Sequence, residues 1–557
     1  MVKYLIANPV DKCALTVNDS IIETLISKYN VPTIDIESSI RAVKFEKINH
    51  YYKNRYFLFL DLNNNLCIAV NDVFILKQEF FNEFKNYPVF LVKTTDFSKI
   101  LEQQFAEENI FNAANYLTNH TNYFSAKSLN YSKSILGFFI MFFSSIIFFI
   151  DAFNLFNNIF YFLQNMLKAI LFNKGMIKNV AEEVNLDIDE LPIYSILVPL
   201  YKEEYKVKSI LDAIKLLNYP KDKLDVKFII EADDKLTMRA LCILDIPDYV
   251  HIIKVPYSFP RTKPKALNYA MSFVLGKYLT VYDAEDEPDP DQLLKSISAF
   301  RALPEYYACL QAKLNFYNAS ENLLTRLFSI EYSVWFEYLL KGLSILDLPV
   351  TLGGTSNHFK VDILRNVGLW DAYNVTEDAD LGLRLYLSGY KVHMIDSITM
   401  EEAPAQLGSW IYQRSRWIKG FIQTIFVFIK TKKDYSKFGL MKIFAVYIFV
   451  GLSTYSFFFL PWLLLILFFK LNSAIYYLWF INSFFSYIYM YTIAYIVLSA
   501  QKSLVIFKSK IDFIAFTIWP LYFILHTIAS YRAVYEIIIS PFKWNKTTHG
   551  AKDYEDA

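Results

Sequence analysis

Hydrophobicity along this chain is sharply uneven, and this unevenness limits what it can fold into. Two apolar stretches, 135–150 and 159–172, precede a mixed stretch at 190–430, and a very apolar region follows residue 438. A helix needs about 20 predominantly apolar residues to cross a bilayer, a length that the later apolar region supplies several times. The pattern therefore predicts a water-exposed domain bracketed by membrane segments.

The membrane segments can be assigned in outline. Candidate spans lie near 443–469, 475–499 and 514–537, while the two earlier stretches form either a tight hairpin or one long broken helix. Lysines gather before the first candidate span and after the second, which by the positive-inside rule places the mixed stretch in the cytoplasm. We expect a multi-pass protein of the bacterial inner membrane, with about four to six passes.

Five units follow from this pattern and from the first 130 residues, where YFLFLDLNNNLCIAV predicts two strands around an Asn-rich turn. They are an α+β N-terminal domain, a transmembrane hairpin or broken helix, an α/β domain, C-terminal transmembrane helices and a polar tail, at 1–130, 133–173, 190–430, 438–540 and 541–557.

The composition argues against several classes of protein. Lys and Arg number 56 against 55 Asp and Glu, without the basic excess that nucleic-acid binding requires. The four cysteines are scattered, which argues against a zinc site or a disulfide framework and indicates a reducing compartment. The N-terminus lacks the sustained apolar run of a signal peptide.

Three apolar runs within the mixed stretch end in polar or acidic residues: IYSILVPLY (193–201), DVKFIIEADD (225–234) and KYLTVYDAED (277–286). Helix-like segments at 206–217 and 265–275 alternate with them. This alternation predicts a doubly wound α/β sheet, Rossmann-like, whose nucleotide site lies at the carboxyl ends of the strands.

The stretch DAEDEPDPD (283–291) concentrates carboxylates at one strand end. Such carboxylates repel one another unless solvent or a cation relieves them, so the stretch is either a solvated acidic turn or a metal site. Asp283 and Glu285 have the spacing to hold Mg²⁺ or Mn²⁺ on a diphosphate, with Asp286 as a spare.

A second acidic strand end carries Asp233 and Asp234, which suit a turn or helix cap when taken alone. Because carboxyl ends of neighbouring strands meet at one sheet edge, both acidic ends could share a metal–nucleotide site. Between them, Lys263 and Lys265 are suited to phosphate, or to a solvated helix start.

NVTEDADLGLRLYLSGY (374–390) predicts a helix with Thr376 as N-cap. Acidic residues in the first turn favour the helix dipole, but Glu377, Asp378 and Asp380 exceed what capping needs. One of them, held near other anions, could act as a general base at neutral pH.

Two further stretches have both a functional and an ordinary explanation. LGGTSNHF (352–359) is an ordinary loop or a turn where Gly354 and Thr355 let backbone approach a ligand, and its His358 is expected to be structural. SWIYQRSRWIKG (409–420) is a cationic membrane flank, which Trp410 and Lys419 suit, or a ligand-binding helix face.

The second explanation of SWIYQRSRWIKG comes from spacing. Gln413, Arg416 and Trp417 stand at i, i+3 and i+4, which places them on one face of a helix. Arg414 points about 100° away from Gln413 and is expected to make a membrane or structural contact.

Taken in order, these residues resemble the processive, membrane-embedded family-2 glycosyltransferases, such as cellulose, chitin and hyaluronan synthases. The resemblance covers 190–430 and is carried by Asp233/Asp234, by DAE, by TED and by QRSRW. It implies a GT-A fold that binds a UDP-sugar with Mg²⁺ or Mn²⁺. Asp378 would deprotonate the acceptor hydroxyl in one inverting displacement.

The resemblance also implies the remaining roles. Asp283 and Glu285 would hold the metal, although Glu285 replaces the family's usual second Asp and leaves the choice between it and Asp286 open. Nucleotide-sugar contacts would come from Asp233, Asp234, Lys263, Lys265, Asp283 and Arg416. Acceptor contacts would come from Gly354, Thr355, Thr376, Glu377, Gln413 and Trp417, with the indole of Trp417 stacking on the sugar.

The flanks carry two weaker resemblances. PFKWNKTTHG (541–550) is similar to the ending of a bacterial subgroup of membrane glycosyltransferases. Residues 20–125 resemble the N-terminal domain of type II secretion ATPases, without the repeated Arg-Leu-Gly signature of those that bind cyclic di-GMP. A protein-partner or regulatory role is the resulting expectation.

Three hypotheses follow. The leading one is a synthase that extends a β-linked polysaccharide on the cytoplasmic face of the bilayer. The second is non-processive transfer of one sugar to a lipid or polyprenyl-phosphate acceptor. The third is a membrane scaffold or receptor with a vestigial transferase domain, against which the complete acidic motifs argue.

Overall fold

The computed structural model describes residues 41–42, 56–60, 66–70, 89–91, 94–129, 131, 137, 150–177, 186–430, 457–458 and 510–544. Of the predicted spans, 475–499 lies outside the described residues, as does 443–469 except for 457–458. Two β-sheets form within the described part of the chain.

The smaller sheet lies near the N-terminus and has four strands in sequential order. They are β1 (Arg41–Ala42), β2 (Tyr56–Leu60), β3 (Leu66–Val70) and β4 (Val89–Leu91). β2 and β3 are antiparallel with Tyr56 opposite Val70, which confirms the hairpin predicted around the Asn-rich turn. The long helix α1 (Thr94–His120) follows.

The larger sheet has eight strands in the order β7-β6-β5-β8-β11-β10-β12-β9. They are β5 (Tyr194–Leu200), β6 (Leu224–Glu231), β7 (Val250–Val255), β8 (Tyr278–Val281), β9 (Glu287–Pro288), β10 (Tyr307–Phe316), β11 (Asn357–Lys360) and β12 (Lys391–Glu401).

Helices precede, separate and follow the strands of this sheet. They are α2 (Ile150–Gly175), α3 (Val207–Lys215), α4 (Lys235–Ile243), α5 (Lys263–Ala270), α6 (Gln292–Ala302), α7 (Leu323–Tyr332), α8 (Leu340–Ile345), α9 (Val361–Asn366), α10 (Glu377–Leu387), α11 (Leu407–Lys430) and α12 (Lys510–Ile539).

The predicted α/β sheet is confirmed, but only part of it is parallel. β7, β6, β5 and β8 run parallel, whereas β11 enters antiparallel between β8 and β10. β6 is buried along its whole length, and its two charged residues Asp225 and Lys227 form a buried ion pair at 2.7 Å. The antiparallel strand was not predicted, because NHF gives a short segment with no apolar run.

Two helices occupy stretches that were predicted to be membrane segments. Residues 159–172 fall within α2, and 514–537 fall within α12, which packs along α11 and buries Thr527 and Ser530. Among the described residues, no helix combines the length and the apolar character that crossing a bilayer requires. The prediction of a span at 514–537 is therefore not supported.

Candidate active site

A single cavity of about 810 Å³ collects most of the predicted site residues. It opens where β5, β6, β8 and β12 end at their carboxyl edges, as a doubly wound sheet predicts. Among the residues that line it are Lys263, Asp283, Glu285, Gly354, Thr355, Thr376, Glu377, Asp378, Gln413, Arg416 and Trp417.

Asp283 follows β8 and forms an ion pair in the cavity. Its Oδ1 pairs with the ammonium of Lys263, which also donates to the carbonyl oxygen of Gly354 at 2.8 Å. Burial lowers the pKa of Lys263, but the charges of Asp283 and Glu377 outweigh burial and raise it overall. Lys263 is therefore a fixed positive charge among carboxylates.

The open choice between Glu285 and Asp286 has a geometric answer. Glu285 lines the cavity, whereas Asp286 is 1 % exposed and turns inward. Its Oδ2 accepts from the backbone N–H of Asp283 at 2.8 Å and from the hydroxyl of Thr355. Asp286 thus holds the turn that presents Asp283 and Glu285.

A further carboxylate, Glu401, ends β12 and lines the same cavity. Burial, together with the negative charges of Asp286, Glu285 and Asp283, raises its pKa well above the usual value. Glu401 was not predicted, because β12 is a strand of mixed polarity, although the acidic pair Glu401 and Glu402 at its end resembles the signal at Asp283.

The residues present suit a divalent cation. Mg²⁺ in proteins is bound through one or two carboxylates, with substrate phosphates and waters as the other ligands. The described residues contain no cluster of three or more His, Cys, Asp or Glu side chains that could hold a metal alone. Asp283 and Glu285 offer carboxylate oxygens to the cavity and fit a metal shared with a diphosphate, and Asp286 Oδ1 is buried with no hydrogen-bond partner in the described part of the chain.

The start of α10 supplies Glu377 and Asp378. Burial and the charge of Asp378 raise the pKa of Glu377 to about 8, and burial raises the pKa of Asp378. Asp378 Oδ1 accepts from the backbone N–H of Ala379 at 2.7 Å, while Oδ2 faces Gly354. The absence of a side chain at Gly354 leaves Asp378 open to the cavity.

Helix α11 docks on the turn just before α10. Gln423 accepts from the backbone N–H of Val375 at 3.1 Å, and the hydroxyl of Thr424 accepts from Asn374 at 3.0 Å. Gly420 lies against Thr376 so closely that a Cβ there would overlap the Thr376 side chain. This contact explains the glycine that ends SWIYQRSRWIKG.

The three residues of the predicted helix face line the cavity together. Arg416 donates to the carbonyl oxygen of Val375 at 3.3 Å and lies under the indole of Trp544, 4.5 Å from its centre. Arg416 Nε and Gln413 Oε1 are buried and have no hydrogen-bond partner among the described residues. Both atoms remain available to a ligand, since buried polar atoms are rarely left unpaired.

Other predicted contacts are not made. Asp234 is the N-cap of α4, accepting from the backbone N–H of Thr237, and Asp233 pairs with Arg261 on the surface. Lys265 is fully buried against Glu231 at 2.8 Å. None of these three predicted nucleotide contacts lines the cavity, because local capping and ion pairing use their charges.

Thr376 occupies the predicted N-cap position of α10, but its side chain makes no capping hydrogen bond. Its backbone N–H and hydroxyl both turn to Asn374 Oδ1, at 3.0 and 3.4 Å. The hydroxyl is therefore drawn back into the turn, away from the first N–H groups of the helix.

Trp410 and Lys419 do not lie at a membrane interface. Trp410 is fully buried and donates to the hydroxyl of Tyr522 at 3.1 Å. Lys419 is also fully buried, with its ammonium 3.3 Å from Glu536 and 2.9 Å from the carbonyl oxygen of Lys543. These partners lie more than a hundred residues away in sequence, where local spacing gives no signal.

Arg414 makes the structural contact that was expected. Its guanidinium pairs with Glu331 and lies 4.4 Å from the ring of Phe328. Burial favours the neutral acid, but Arg414 and His526 outweigh it and bring the pKa of Glu331 down to about 2. This ionic group lines the cavity and was not predicted, because its members lie on α7, α11 and α12.

His358 is structural, as predicted. It is fully buried, with Nδ1 2.7 Å from the hydroxyl of Tyr194 and Nε2 3.2 Å from Gln292. Burial lowers its pKa to about 3, so the ring is neutral.

Comparison with known proteins shows similarity to glycosyltransferases. Residues 278–500 match the family model described as Glycosyl transferase family group 2. YdaM of Bacillus subtilis (strain 168), described as a probable glycosyltransferase, is 27 % identical over 271 residues, 47 % of this chain and 64 % of YdaM. Glucomannan 4-beta-mannosyltransferase 1 of Oryza sativa subsp. japonica is 24 % identical over 265 residues, 45 % of this chain and 50 % of that protein.

Among solved structures, the mannosyltransferase PcManGT from Pyrobaculum calidifontis, in complex with GDP-Man and Mn²⁺, is similar with a TM-score of 0.47 and 16 % identity. That match covers 71 % of this chain and 99 % of PcManGT. The two curated relatives are matched over 64 % and 50 % of their own length. The family match therefore covers the stretch that carries Asp283, Asp378 and the face of α11, and it supports glycosyl transfer as the activity of this chain.

Proposed function

We propose that this chain transfers a sugar from a nucleotide-diphosphate sugar to a growing β-linked polysaccharide, with inversion at the anomeric carbon. One observation carries the proposal. Asp283 and Glu285, Asp378, and the face formed by Gln413, Arg416 and Trp417 come from three distant stretches and line one cavity.

The donor diphosphate would lie between Lys263 and Arg416. Both cations line the cavity, and Arg416 keeps an unpartnered Nε that can donate to a phosphate oxygen. Asp283 and Glu285 would hold Mg²⁺ or Mn²⁺, which supplies positive charge to the departing diphosphate. We assign a UDP-sugar as the first donor to test.

Asp378 would act as the general base. The acceptor hydroxyl gives its proton to this carboxylate while its oxygen forms the bond to the anomeric carbon, and the bond from that carbon to the diphosphate oxygen breaks. Glu377, with a pKa of about 8, is mainly neutral at pH 7 and adds no second negative charge.

The acceptor would lie against Trp417, with Gln413 Oε1 accepting from a sugar hydroxyl. The indole of Trp417 is partly exposed in the cavity, and a flat aromatic face suits the apolar face of a sugar ring. Several curated relatives are named glucomannan 4-beta-mannosyltransferases, which supports a β-linked product. Gly354, Thr355 and Thr376 would complete the acceptor side.

We further propose the cytoplasmic face of the bacterial inner membrane as the site of transfer. The apolar composition beyond residue 438 and the lysines beside it support this location. For the N-terminal domain, its resemblance to that of secretion ATPases supports a role in docking a protein partner.

The test is incubation of membranes that contain the chain with a panel of radiolabelled UDP- and GDP-sugars, followed by sizing of the product. Labelled polymer is expected from the intact chain, and none from Asp378→Asn. A labelled glycolipid of one added sugar would instead establish the non-processive alternative. No product from any donor would return the chain to the scaffold hypothesis.

A further inference from the structure

The stretch that follows α1, residues 121–129, crosses the surface of the glycosyltransferase domain and makes buried polar contacts there. We name it the connecting stretch. The hydroxyl of Ser125 donates to Asp371 Oδ1 at 2.7 Å, and the backbone N–H of Ala126 donates to Asp371 Oδ2 at 2.7 Å. All three residues are at least 97 % buried, so these bonds are shielded from water.

Asp371 begins the turn that leads to the catalytic base. The Oδ1 atom of Asp371 also accepts from the backbone N–H of Tyr373 at 3.1 Å. The carbonyl oxygen of Asp371 accepts from the backbone N–H of Asn374 at 3.1 Å. Asn374 in turn holds Thr376, and Asp378 follows two residues later. A bond lost at Asp371 therefore loosens the backbone on which Asp378 is carried.

The same turn is held from two other directions. α11 binds it through Gln423 and Thr424, and the hydroxyl of Thr262, just before α5, donates to the carbonyl oxygen of Ala372 at 2.8 Å. Those supports come from within the glycosyltransferase domain. The connecting stretch comes from outside it, at the end of the N-terminal region.

We infer that the connecting stretch positions the catalytic base, with Asp371 as the positioning residue through which Ser125 and Ala126 fix the turn before Asp378. The inference rests on the proposed function of Asp378. Through this contact the N-terminal region can change the rate of transfer without contacting the donor site. Loss of this contact lowers kcat with little effect on donor affinity, because Ser125 and Ala126 contact neither Lys263 nor Arg416, and the bond from Arg416 to the carbonyl oxygen of Val375 is not one of those removed.

The test compares two single-hydroxyl deletions in the connecting stretch. Ser125→Ala removes the bond to Asp371 and a local bond from the backbone N–H of Lys127. The control Tyr123→Phe also removes two bonds, of 2.6 Å to Ser388 and of 3.5 Å to the carbonyl oxygen of Arg384, both near the opposite end of α10. We expect Ser125→Ala to lower kcat about tenfold, with the nucleotide-sugar Kd unchanged, and Tyr123→Phe to leave both unchanged. Equal losses in both variants, a wild-type kcat in Ser125→Ala, or a weakened Kd in that variant would overturn the inference.

A second measurement does not depend on sugar transfer. Hydrogen–deuterium exchange of peptides covering 371–380 is expected to be faster in Ser125→Ala than in the wild type and in Tyr123→Phe. Wild-type exchange there in Ser125→Ala would reject the inference, whatever the chain transfers. Faster exchange in a chain that transfers no sugar from any donor would uphold the positioning contact and reject the proposed function alone.

Discussion

Two adjacent carboxylates at the start of α10, Glu377 and Asp378, are both buried, and burial raises the pKa of each. Glu377 has a pKa of about 8, raised by burial and by the charge of Asp378, so it is mainly neutral at pH 7. Burial also raises the pKa of Asp378, while the backbone N–H of Ala379 and the positive charges of Lys263 and Arg416 oppose that rise. Asp378 lies opposite Gly354 and is open to the cavity, which suits the role of base, whereas a neutral Glu377 suits a hydrogen-bonding group.

Replacing the base should separate chemistry from binding. Asp378→Asn keeps the size of the side chain but cannot accept the proton, so we expect kcat to fall by about 10²–10⁴ while the donor Kd stays within about twofold. Single-turnover transfer and nucleotide titration measure the two quantities. An Asp378→Asn variant with wild-type kcat would remove this residue from the role of base.

The raised pKa of Glu377 makes a pH-dependent prediction. Below pH 8 the side chain is mainly neutral, and above it a negative charge develops close to Lys263 and Arg416, between which we propose that the donor diphosphate binds. Donor affinity should therefore fall between pH 7 and pH 9. Glu377→Gln stays neutral throughout and should show nearly constant donor affinity across that range. A decline as steep as in the wild type would show that another group titrates there.

At the scale of elements, helix α11 connects the predicted ligand-binding face to the turn before α10. Gly420 is packed directly against Thr376 in that turn. In Gly420→Ala the new methyl would overlap Thr376 and push the helix outward. We expect a loss of about 1–3 kcal/mol in unfolding free energy, together with a large loss of transfer.

Gly408, in the first turn of the same helix, is the matched control. Nothing lies within 4 Å of the position that its Cβ would take, so Gly408→Ala should be neutral or stabilising by up to about 1 kcal/mol. Unfolding curves and transfer rates of the two variants make the comparison. Equal behaviour of both would show that the Thr376 contact does not fix α11.

The sequence predicted elements best where one local pattern determines them. The apolar runs before Asp233 and Asp283 form β6 and β8, and the spacing of Gln413, Arg416 and Trp417 does place them on one cavity wall. Predictions from local patterns were wrong where a charged side chain pairs with another residue of the chain and not with a ligand. Lys265 was predicted to bind phosphate, but Glu231 at the end of β6 takes its charge.

At the scale of the whole molecule, the contacts that the sequence could not predict join distant segments. Lys419 looked like a membrane flank because the sequence around it is cationic and aromatic. Its partners, Glu536 and the carbonyl oxygen of Lys543, belong to a segment that returns from far along the chain. No local periodicity in the sequence identifies such a pair. Lys419 is buried inside the protein, whereas the sequence predicted an exposed position beside a membrane.

This pair gives a stability prediction. Glu536→Gln would leave the fully buried ammonium of Lys419 without its carboxylate, and we expect a cost of about 3–5 kcal/mol in unfolding free energy. Arg532→Gln removes a second ion pair of Glu536, from an arginine that is 35 % exposed, and should cost less than about 1 kcal/mol. Thermal unfolding of both variants measures the difference, and similar costs would contradict a buried pair.

The docking of α11 has a mechanical consequence. Helix α11 carries Arg416 towards the proposed donor site and contacts the turn before α10 through Gln423 and Gly420. It also binds the segment 541–544, because Gln423 donates to the carbonyl oxygen of Pro541 at 3.0 Å. A displacement of α11 would therefore disturb Arg416, the turn before Asp378 and the segment 541–544 together. We expect such a displacement to change donor binding and catalysis in parallel, whereas a change at Asp371 acts on the turn alone.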